Sequence, residues 1–407
     1  MCIMDTIMKT GLKSVILQPG RERSLRRFHP WVYSGAIQNI EAGVEEGEAV
    51  EVQDSSGGFL ACAFYSQSSI ALKAFSFRKI NPDANYWQER IRNAVALRNE
   101  FGLHPQDELT NCFRLINAEG DGIPGLIVDI YGELAVIQCH SHATFKLLNL
   151  WSNALQEAYQ GAITSVFSKS AATLDGSSDE VQESKNLFVL GSAGQVVVRE
   201  NGRRFFVDAL SGQKTGFFVD QRDSRQLVHQ VAKAKRVLNL FSYTGGFSIA
   251  AEMGGAKQVT SVDVSAPALD ILKRNYQENN LNADNAQVIH SDCFTYLENA
   301  QDKFDVIIVD PPPFAKSRAT VEKALHGYKA INNLALKRLE PGGVLLSFSC
   351  SQVVARADFE RSIAEAGFET GKQLRIVKRL GSPVCHPVSL YHPEGDYLKG
   401  LFLSASN

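Results

Sequence analysis

Five short apolar runs in the second half of the 407-residue chain each end in side chains able to do chemistry. Val237-Leu238-Asn239-Leu240-Phe241 passes into Ser242-Tyr243-Thr244-Gly245-Gly246-Phe247-Ser248. Glycines there let the backbone approach a ligand closely, and a following helix would present free N–H groups. A second run ends in Asp263, where a carboxylate can accept both hydroxyls of a ribose; capping the helix after Ser265 is its other use. A third leads to Ser291-Asp292-Cys293-Phe294, where Asp292 could accept from an adenine amine or cap its own helix. The glycine turn matches neither the G-x-G-x-x-G pattern nor a P-loop, because no G-K-[ST] follows. A glycine turn followed by two acids at successive run ends describes a nucleoside pocket without a phosphate cradle.

The fourth run, Phe304 to Val309, closes with Asp310-Pro311-Pro312-Pro313-Phe314. Proline fixes its own φ and supplies no N–H, so this loop holds the Asp310 side chain and the neighbouring carbonyls rigidly beside the pocket. A fifth run, Leu345 to Ser349, ends in Cys350-Ser351 and brings a thiol to the same edge. Taken alone, a strand-end cysteine is as well read as a small core residue.

These positions imply the elements that must carry them. After about residue 201, strands at Arg236 to Phe241, Gln258 to Val264, Ala286 to Ile289, Phe304 to Asp310 and Gly343 to Ser349 alternate with helical stretches such as Ala266 to Asn279 and Val321 to Leu339. Apolar strands joined by crossover helices predict a parallel, doubly wound α/β sheet of Rossmann type, with ligands at the carboxyl ends of the strands. Residues 12 to 80 instead alternate apolar and polar between Gly and Ser turns, which predicts a small β-rich barrel. Within it, Arg21 to Trp31 packs four arginines and two aromatics into eleven residues, a mixture suited to phosphates and stacked bases, or to a solvated basic turn. From about 82 to 200 the signals are α+β: helices over Tyr86 to Phe101 and Thr144 to Tyr159, and strands at Phe113 to Ala118, Gly125 to Ile130, Leu134 to Cys139 and Gln195 to Glu200. The Ser, Asp and Glu cluster of Ser170 to Lys185 reads as an exposed loop.

Bulk properties narrow the class of protein. Lys+Arg number 42 against 44 Asp+Glu, a formal charge of −2, so any nucleic acid must be held by a local basic face rather than by a polycation. No apolar stretch reaches the about 18 residues of a membrane span, and Met1 to Lys13 lacks a signal-peptide pattern, which together predict a cytoplasmic protein without membrane contact. The seven cysteines are scattered with no C-x-x-C pair, against a disulfide framework or zinc ribbon, and no metal site is expected.

Taken together, these motifs resemble the class I S-adenosylmethionine-dependent methyltransferases. Within that class the chain is most similar to the bacterial large-subunit (23S) ribosomal RNA cytosine-5 methyltransferases with an N-terminal PUA domain. Arg26-Arg27-Phe28-His29-Pro30-Trp31-Val32-Tyr33-Ser34-Gly35 resembles the PUA opening, and Gly120-Asp121-Gly122-Ile123-Pro124-Gly125-Leu126 the family's central domain. Thr215 to Arg222 resembles the lead into its catalytic domain, and Tyr391 to Gly400 its closing hairpin. The implied division is a PUA-like RNA-binding domain at 1–80, a central α+β domain at 81–200 and a Rossmann-like methyltransferase domain at 201–407.

By the same resemblance, Phe241, Ser242, Tyr243, Thr244 and Gly245 hold the methionine part of S-adenosylmethionine, Asp263 the ribose, and Asp292 with Cys293 the adenine. Asp310 is implied beside both cofactor and target base, and Gln221 and Arg222 are implied to help close the pocket. Ribosomal RNA is the implied partner, contacted by Arg26, Arg27, Pro311, Pro312, Phe314 and Lys316; a homodimer is compatible with the family. Many relatives have Asp-Pro-Pro-Lys-Phe where this chain has Pro313 in the Lys position, and Lys316 stands nearby as a substitute. Cytosine carbon-5 is too weak a nucleophile to take a methyl from a sulfonium unaided, whereas adding a thiolate to carbon-6 activates it. Cys350 is the expected nucleophile, with Asp310 as its catalytic partner on the base. Guanine methylation by the same fold, or an RNA-binding assembly factor without catalysis, are the competing readings.

Overall fold

The computed structural model describes residues 11–174, 185–282 and 286–406. Two compact units make up the chain. The first contains residues up to Val196, then Val207–Gly216 and Val384–Gly395; the second contains Val197–Phe206, Phe217–Pro383 and the chain from Asp396 on.

The first unit holds two sheets. Strands β1 (Lys13–Leu17), β2 (Trp31–Tyr33), β3 (Ile37–Ile40), β4 (Ala49–Gln53), β5 (Phe59–Tyr65) and β6 (Ile70–Ser76) order as β2-β6-β5-β4-β1-β3. Only the β1/β4 pair in this sheet is parallel. Val15, Leu17, Val50, Val52, Ala61, Ala63 and Leu72 fill its interior, as the alternating sequence predicts. Strands β7 (Cys112–Asn117), β8 (Leu126–Tyr131), β9 (Leu134–Cys139), β10 (Ser165–Lys169) and β11 (Asn186–Leu190) form the second sheet, in the order β11-β10-β9-β8-β7. Helices Ala84–Asn99 and Leu148–Ala158 bury Trp87, Ile91, Trp151 and Leu155 in a core shared with Phe64, Phe75, Phe113 and Leu126. The loop expected over Ser170 to Lys185 has buried ends, since Ser170 and Lys185 are both inside; its centre, 175–184, lies outside the described residues.

A hairpin of β12 (Gln195–Glu200) and β13 (Arg203–Asp208) follows. Its turn residues Asn201 and Gly202 have φ of 48° and 77°. Positive φ at both central positions matches the right-handed twist of the flanking strands.

The second unit is built on one seven-stranded sheet. Its strands are β14 (Arg236–Leu240), β15 (Gln258–Asp263), β16 (Gln287–His290), β17 (Phe304–Val309), β18 (Leu339–Ser349), β19 (Gln373–Leu380) and β20 (Lys399–Ser406). The order is β16-β15-β14-β17-β18-β20-β19, with β14 to β18 parallel and β20 antiparallel to both neighbours. Both faces are buried, as in doubly wound folds. Leu238, Leu240, Ile307, Val309, Leu345 and Leu403 point into one core, while Val237, Val306, Ile308, Leu346 and Phe402 point into the other. This alternation is the period of two that a strand imposes. Chain order reverses between β14 and β17, the switch point where such sheets open a crevice.

One expectation needs correcting. Tyr391 to Gly400 is not a single hairpin: Pro393–Gly395 is a short 3-10 turn in the first unit, and β20 begins only at Lys399, in the second. Local resemblance does not reveal which core a segment packs on.

Candidate active site

The turn after β14 is strained by design of its neighbours. Phe241, Tyr243 and Gly245 have φ of 56°, 47° and 81°, and non-glycine residues in that region cost of order 1–3 kcal/mol each. Surrounding hydrogen bonds hold it: Ser242 N–H donates to the Val262 carbonyl at 3.0 Å, Tyr243 N–H to Asp263 Oδ2 at 2.7 Å, and Asn275 Nδ2 to the Thr244 carbonyl at 2.8 Å. Gly245 is required twice over, because a Cβ there would lie 2.6 Å from Leu272 Cγ. The helix Gly246–Met253 then starts directly from the turn.

Asp263, 9 % exposed at the end of β15, accepts from Tyr243 N–H through one oxygen and from Ser265 N–H, at 2.8 Å, through the other. Each carboxylate oxygen has two acceptor positions, so both keep one for a hydroxyl donor. The capping alternative falls to its neighbour, since Ser265 Oγ caps the helix Ala266–Glu278. Asp292 does cap: its Oδ1 accepts from the N–H and hydroxyl of Thr295 at 3.0 and 3.2 Å, while its side chain stays exposed. Between the two acids, Cys293 Sγ accepts from Phe241 N–H at 3.2 Å and donates to the Val262 carbonyl at 3.7 Å. Burial, aided by Asp263 and Asp292, pushes this thiol up to about 12, so it stays a neutral group. Ser242 Oγ, on a residue 5 % exposed, has no hydrogen-bond partner among the described residues. Two half-used carboxylates and an orphaned hydroxyl around a glycine turn fit a nucleoside bearing a polar tail.

The second half of the site joins two adjacent strand ends. Val309 and Ser347 are register partners in β17 and β18, which brings Asp310 and Cys350 to one edge. Cys350 Sγ lies 3.8 Å from the Pro311 carbonyl, so the thiol meets the proline loop itself. Gln221 Nε2 donates to Asp310 Oδ2 at 3.1 Å. Arg222, buried beside it, pairs with Asp223 at 3.3 Å. Tyr328 fastens both loops from the helix Val321–Arg338: its hydroxyl meets Ser351 Oγ at 3.0 Å and accepts from Ser349 Oγ at 2.9 Å. Its ring packs 4.8 Å from Phe314, and Ser351 Oγ accepts from Ala315 N–H at 3.3 Å. Burial pushes the Tyr328 hydroxyl up, which keeps it a neutral hub.

Thus Phe241 to Gly245, Asp263, Asp292 and Cys293 gather about the ends of β14, β15 and β16, and Gln221, Asp310, Pro311 and Cys350 about the ends of β17 and β18. Pro312 and Lys316 are exposed on the same loop and Phe314 is half-buried. Arg26 and Arg27 belong to the first unit, where Arg26 pairs with Asp54 at 2.7 Å. Tyr328, Ser351 and Lys399 escaped sequence reasoning. Tyr328 lies 22 residues before Cys350 inside a helix, where helical period marks it only as core.

Residues 191–395 match the model of the S-adenosylmethionine-dependent methyltransferase family, and residues 15–77 that of a PUA-like domain. The ribosomal RNA large subunit methyltransferase I of Pseudoalteromonas translucida is 39% identical over 400 residues, covering 95% of this chain and 98% of that protein. The protein of the same name from Photobacterium profundum is 40% identical over 395 residues, with 95% and 98% covered. Among solved structures, a chain described as a methyltransferase complexed with SAH superposes with a TM-score of 0.83 at 24% identity, covering 96% of this chain and 99% of that one.

Proposed function

Because the chain belongs to the S-adenosylmethionine-dependent methyltransferases, and among them to the ribosomal RNA large subunit methyltransferase I family, we propose that it methylates carbon-5 of a cytosine in large-subunit ribosomal RNA. The observation that carries the choice of base is the thiol of Cys350 beside the Asp310 loop, 3.8 Å from the Pro311 carbonyl. When bound, S-adenosylmethionine supplies an electrophilic methyl group. Asp263 takes the ribose hydroxyls, the Phe241 to Gly245 turn the methionine part, and Asp292 with Cys293 the adenine.

Asp310, steadied by Gln221 Nε2, bonds the ring-nitrogen and amine side of the cytosine and orients the base for addition. The Cys350 thiolate forms a bond to carbon-6 and opens the carbon-5/carbon-6 double bond, and carbon-5 takes the methyl as the methyl–sulfonium bond breaks and its electron pair stays on sulfur, leaving a neutral thioether. Carbon-5 then gives its proton to a base, and the sulfur–carbon-6 bond breaks to restore the double bond and the thiolate. Pro311, Pro312, Phe314 and Lys316 border the target base. A base within folded RNA must be turned out or offered single-stranded. Segments 1–80 and 81–200 grip the RNA, with Arg26 and Arg27 on phosphates, and 201–407 does the chemistry. Among the described residues no helix is long and apolar enough to cross a membrane, and a ribosomal substrate places the work in the cytoplasm.

Wild type and Cys350→Ala are incubated with methyl-labelled S-adenosylmethionine and unmodified large-subunit RNA, and the labelled nucleoside is identified after digestion. Label in 5-methylcytidine, lost with the thiol, is the expected result. Label in a guanine, or 5-methylcytidine that persists in Cys350→Ala, overturns the proposed chemistry.

A further inference from the structure

Lys399, the first residue of β20, is only 4 % exposed. Lysine is almost never found at that depth unless something pairs with it. It stands in register with Ser349, the last residue of β18, and its Nζ donates to the Ser351 carbonyl at 2.9 Å. Lys399 therefore spans the peptide segment that carries Cys350, with its backbone in register with Ser349 on one side and its side chain on the Ser351 carbonyl on the other. The register admits no slip. A Cβ on Gly400 would lie 2.6 Å from the Phe348 ring, so β20 is seated against β18 as closely as backbone allows.

We infer that Lys399 is a positioning residue for the nucleophile: its buried ammonium is the fixed countercharge that holds Cys350 as a thiolate. The inference rests on the reading of Cys350 as the nucleophile and adds what activates it. The charged and titratable groups around the pair can be named by element. Asp396, just before β20, pairs with Arg356 of the helix Arg356–Glu369 at 4.0 Å, and both side chains reach solvent. Tyr328, on the helix Val321–Arg338, stays neutral while bonding Ser349 and Ser351. A carboxylate at Asp310, on the loop after β17 and held by Gln221 Nε2, would oppose a second negative charge on the adjoining thiol. Against that opposition the buried cation is what makes the thiolate affordable.

The influence is mutual. Burial lowers the proton affinity of Lys399, while Asp396 and Cys350 act to raise it. One of the three ammonium protons goes to the Ser351 carbonyl, and a sulfur anion supplies the charge that a carbonyl cannot. Protonated lysine and thiolate thus support one another, and the two titrate as a pair.

The test reads the thiol itself, with neither RNA nor cofactor present. Full-length protein is alkylated with iodoacetamide across pH 6 to 10, and the rate at Cys350 is followed by mass spectrometry of the peptide that bears it. Cys293, neutral throughout this range, serves as the internal unreactive control. The wild-type midpoint is expected below the ordinary thiol value of about 8.5. Lys399→Gln, which keeps a donor for Ser351 but no charge, is expected to move it up by about one unit and to slow alkylation at pH 7 about tenfold. Lys399→Met should do the same, and Lys399→Arg should restore the wild-type profile. An unshifted profile in either folded neutral variant overturns the inference. So does a wild-type midpoint at or above the ordinary value, a measurement that needs no variant. If Cys350 were not the nucleophile, methylation would survive Cys350→Ala whatever the thiol titration showed, so the two failures are told apart.

Discussion

At Asp263 both carboxylate oxygens accept backbone N–H groups, from Tyr243 and Ser265 at 2.7 and 2.8 Å, before any ligand arrives. The residue is therefore part of the brace on a turn with left-handed Phe241 and Tyr243 as well as the proposed acceptor for a ribose. Asp263→Ala is expected to weaken S-adenosylmethionine binding at least tenfold in a calorimetric titration. It should also lower stability by about 1–3 kcal/mol, the usual cost of leaving buried donors without an acceptor. Asp263→Asn retains one acceptor oxygen and should fall between the two. Unchanged affinity in the alanine variant would remove Asp263 from the ribose. Asp292 contrasts with it, since capping engages only its Oδ1; sequence alone left both acids with two uses, and burial separates them.

The segment Val384–Gly395 leaves the methyltransferase sheet between β19 and β20 and joins the first unit. There the His392 ring packs 4.3 Å from Trp31 and 5.6 Å from His29, and Trp31 Nε1 donates to Glu119 at 2.9 Å. His29 and His392 both face Glu394, at 3.4 and 3.7 Å. Burial holds the His392 imidazole below its ordinary value, outweighing the pull of Glu119 and Glu394. The unfolded chain consequently binds this proton first as pH falls through about 6.5, and stability declines from there down to the folded-state value. Urea denaturation at pH 7.5 and pH 5.5 should show the acid sample less stable, and His392→Phe should reduce the difference. A slope unchanged by that substitution would clear His392. The sequence placed Tyr391 to Gly400 in one closing hairpin, whereas the chain divides there between the two units. Leu134–Cys139 and Gln195–Glu200 were legible to the residue because each is a short apolar, β-branched run bounded by glycine and polar residues. The helix expected over Thr144 to Tyr159 instead divides at Leu147 into His142–Lys146 and Leu148–Ala158. What periodicity cannot carry is the identity of the partner surface, and the same limit hid Tyr328 and Lys399, whose roles exist only once β18 and β20 are paired.

Over the whole molecule the charges nearly cancel, at −2, so long-range attraction to RNA is weak and any grip must come from where cations are concentrated and unpaired. In the Arg21 to Trp31 stretch the Arg26 side chain is 57% exposed but ion-paired at 2.7 Å with Asp54, itself 13% exposed. Surface pairs of this kind contribute about 0–1 kcal/mol, little enough for a phosphate to displace the carboxylate. Arg26→Glu with Arg27→Glu should weaken RNA binding and reduce the magnitude of its log–log salt slope by about two, measured by anisotropy at several salt concentrations. The opposite change is the sharper test. Asp54 Oδ1 accepts from Ser56 and Gly58 N–H in the β4–β5 turn at 3.0 and 2.9 Å, a role that Asn keeps with its one oxygen. Asp54→Asn should therefore preserve the turn, release Arg26 and tighten RNA binding. If both variants bind RNA as wild type does, this basic face takes no part in the grip, and the phosphates must be met by cations such as Lys316 at the catalytic edge.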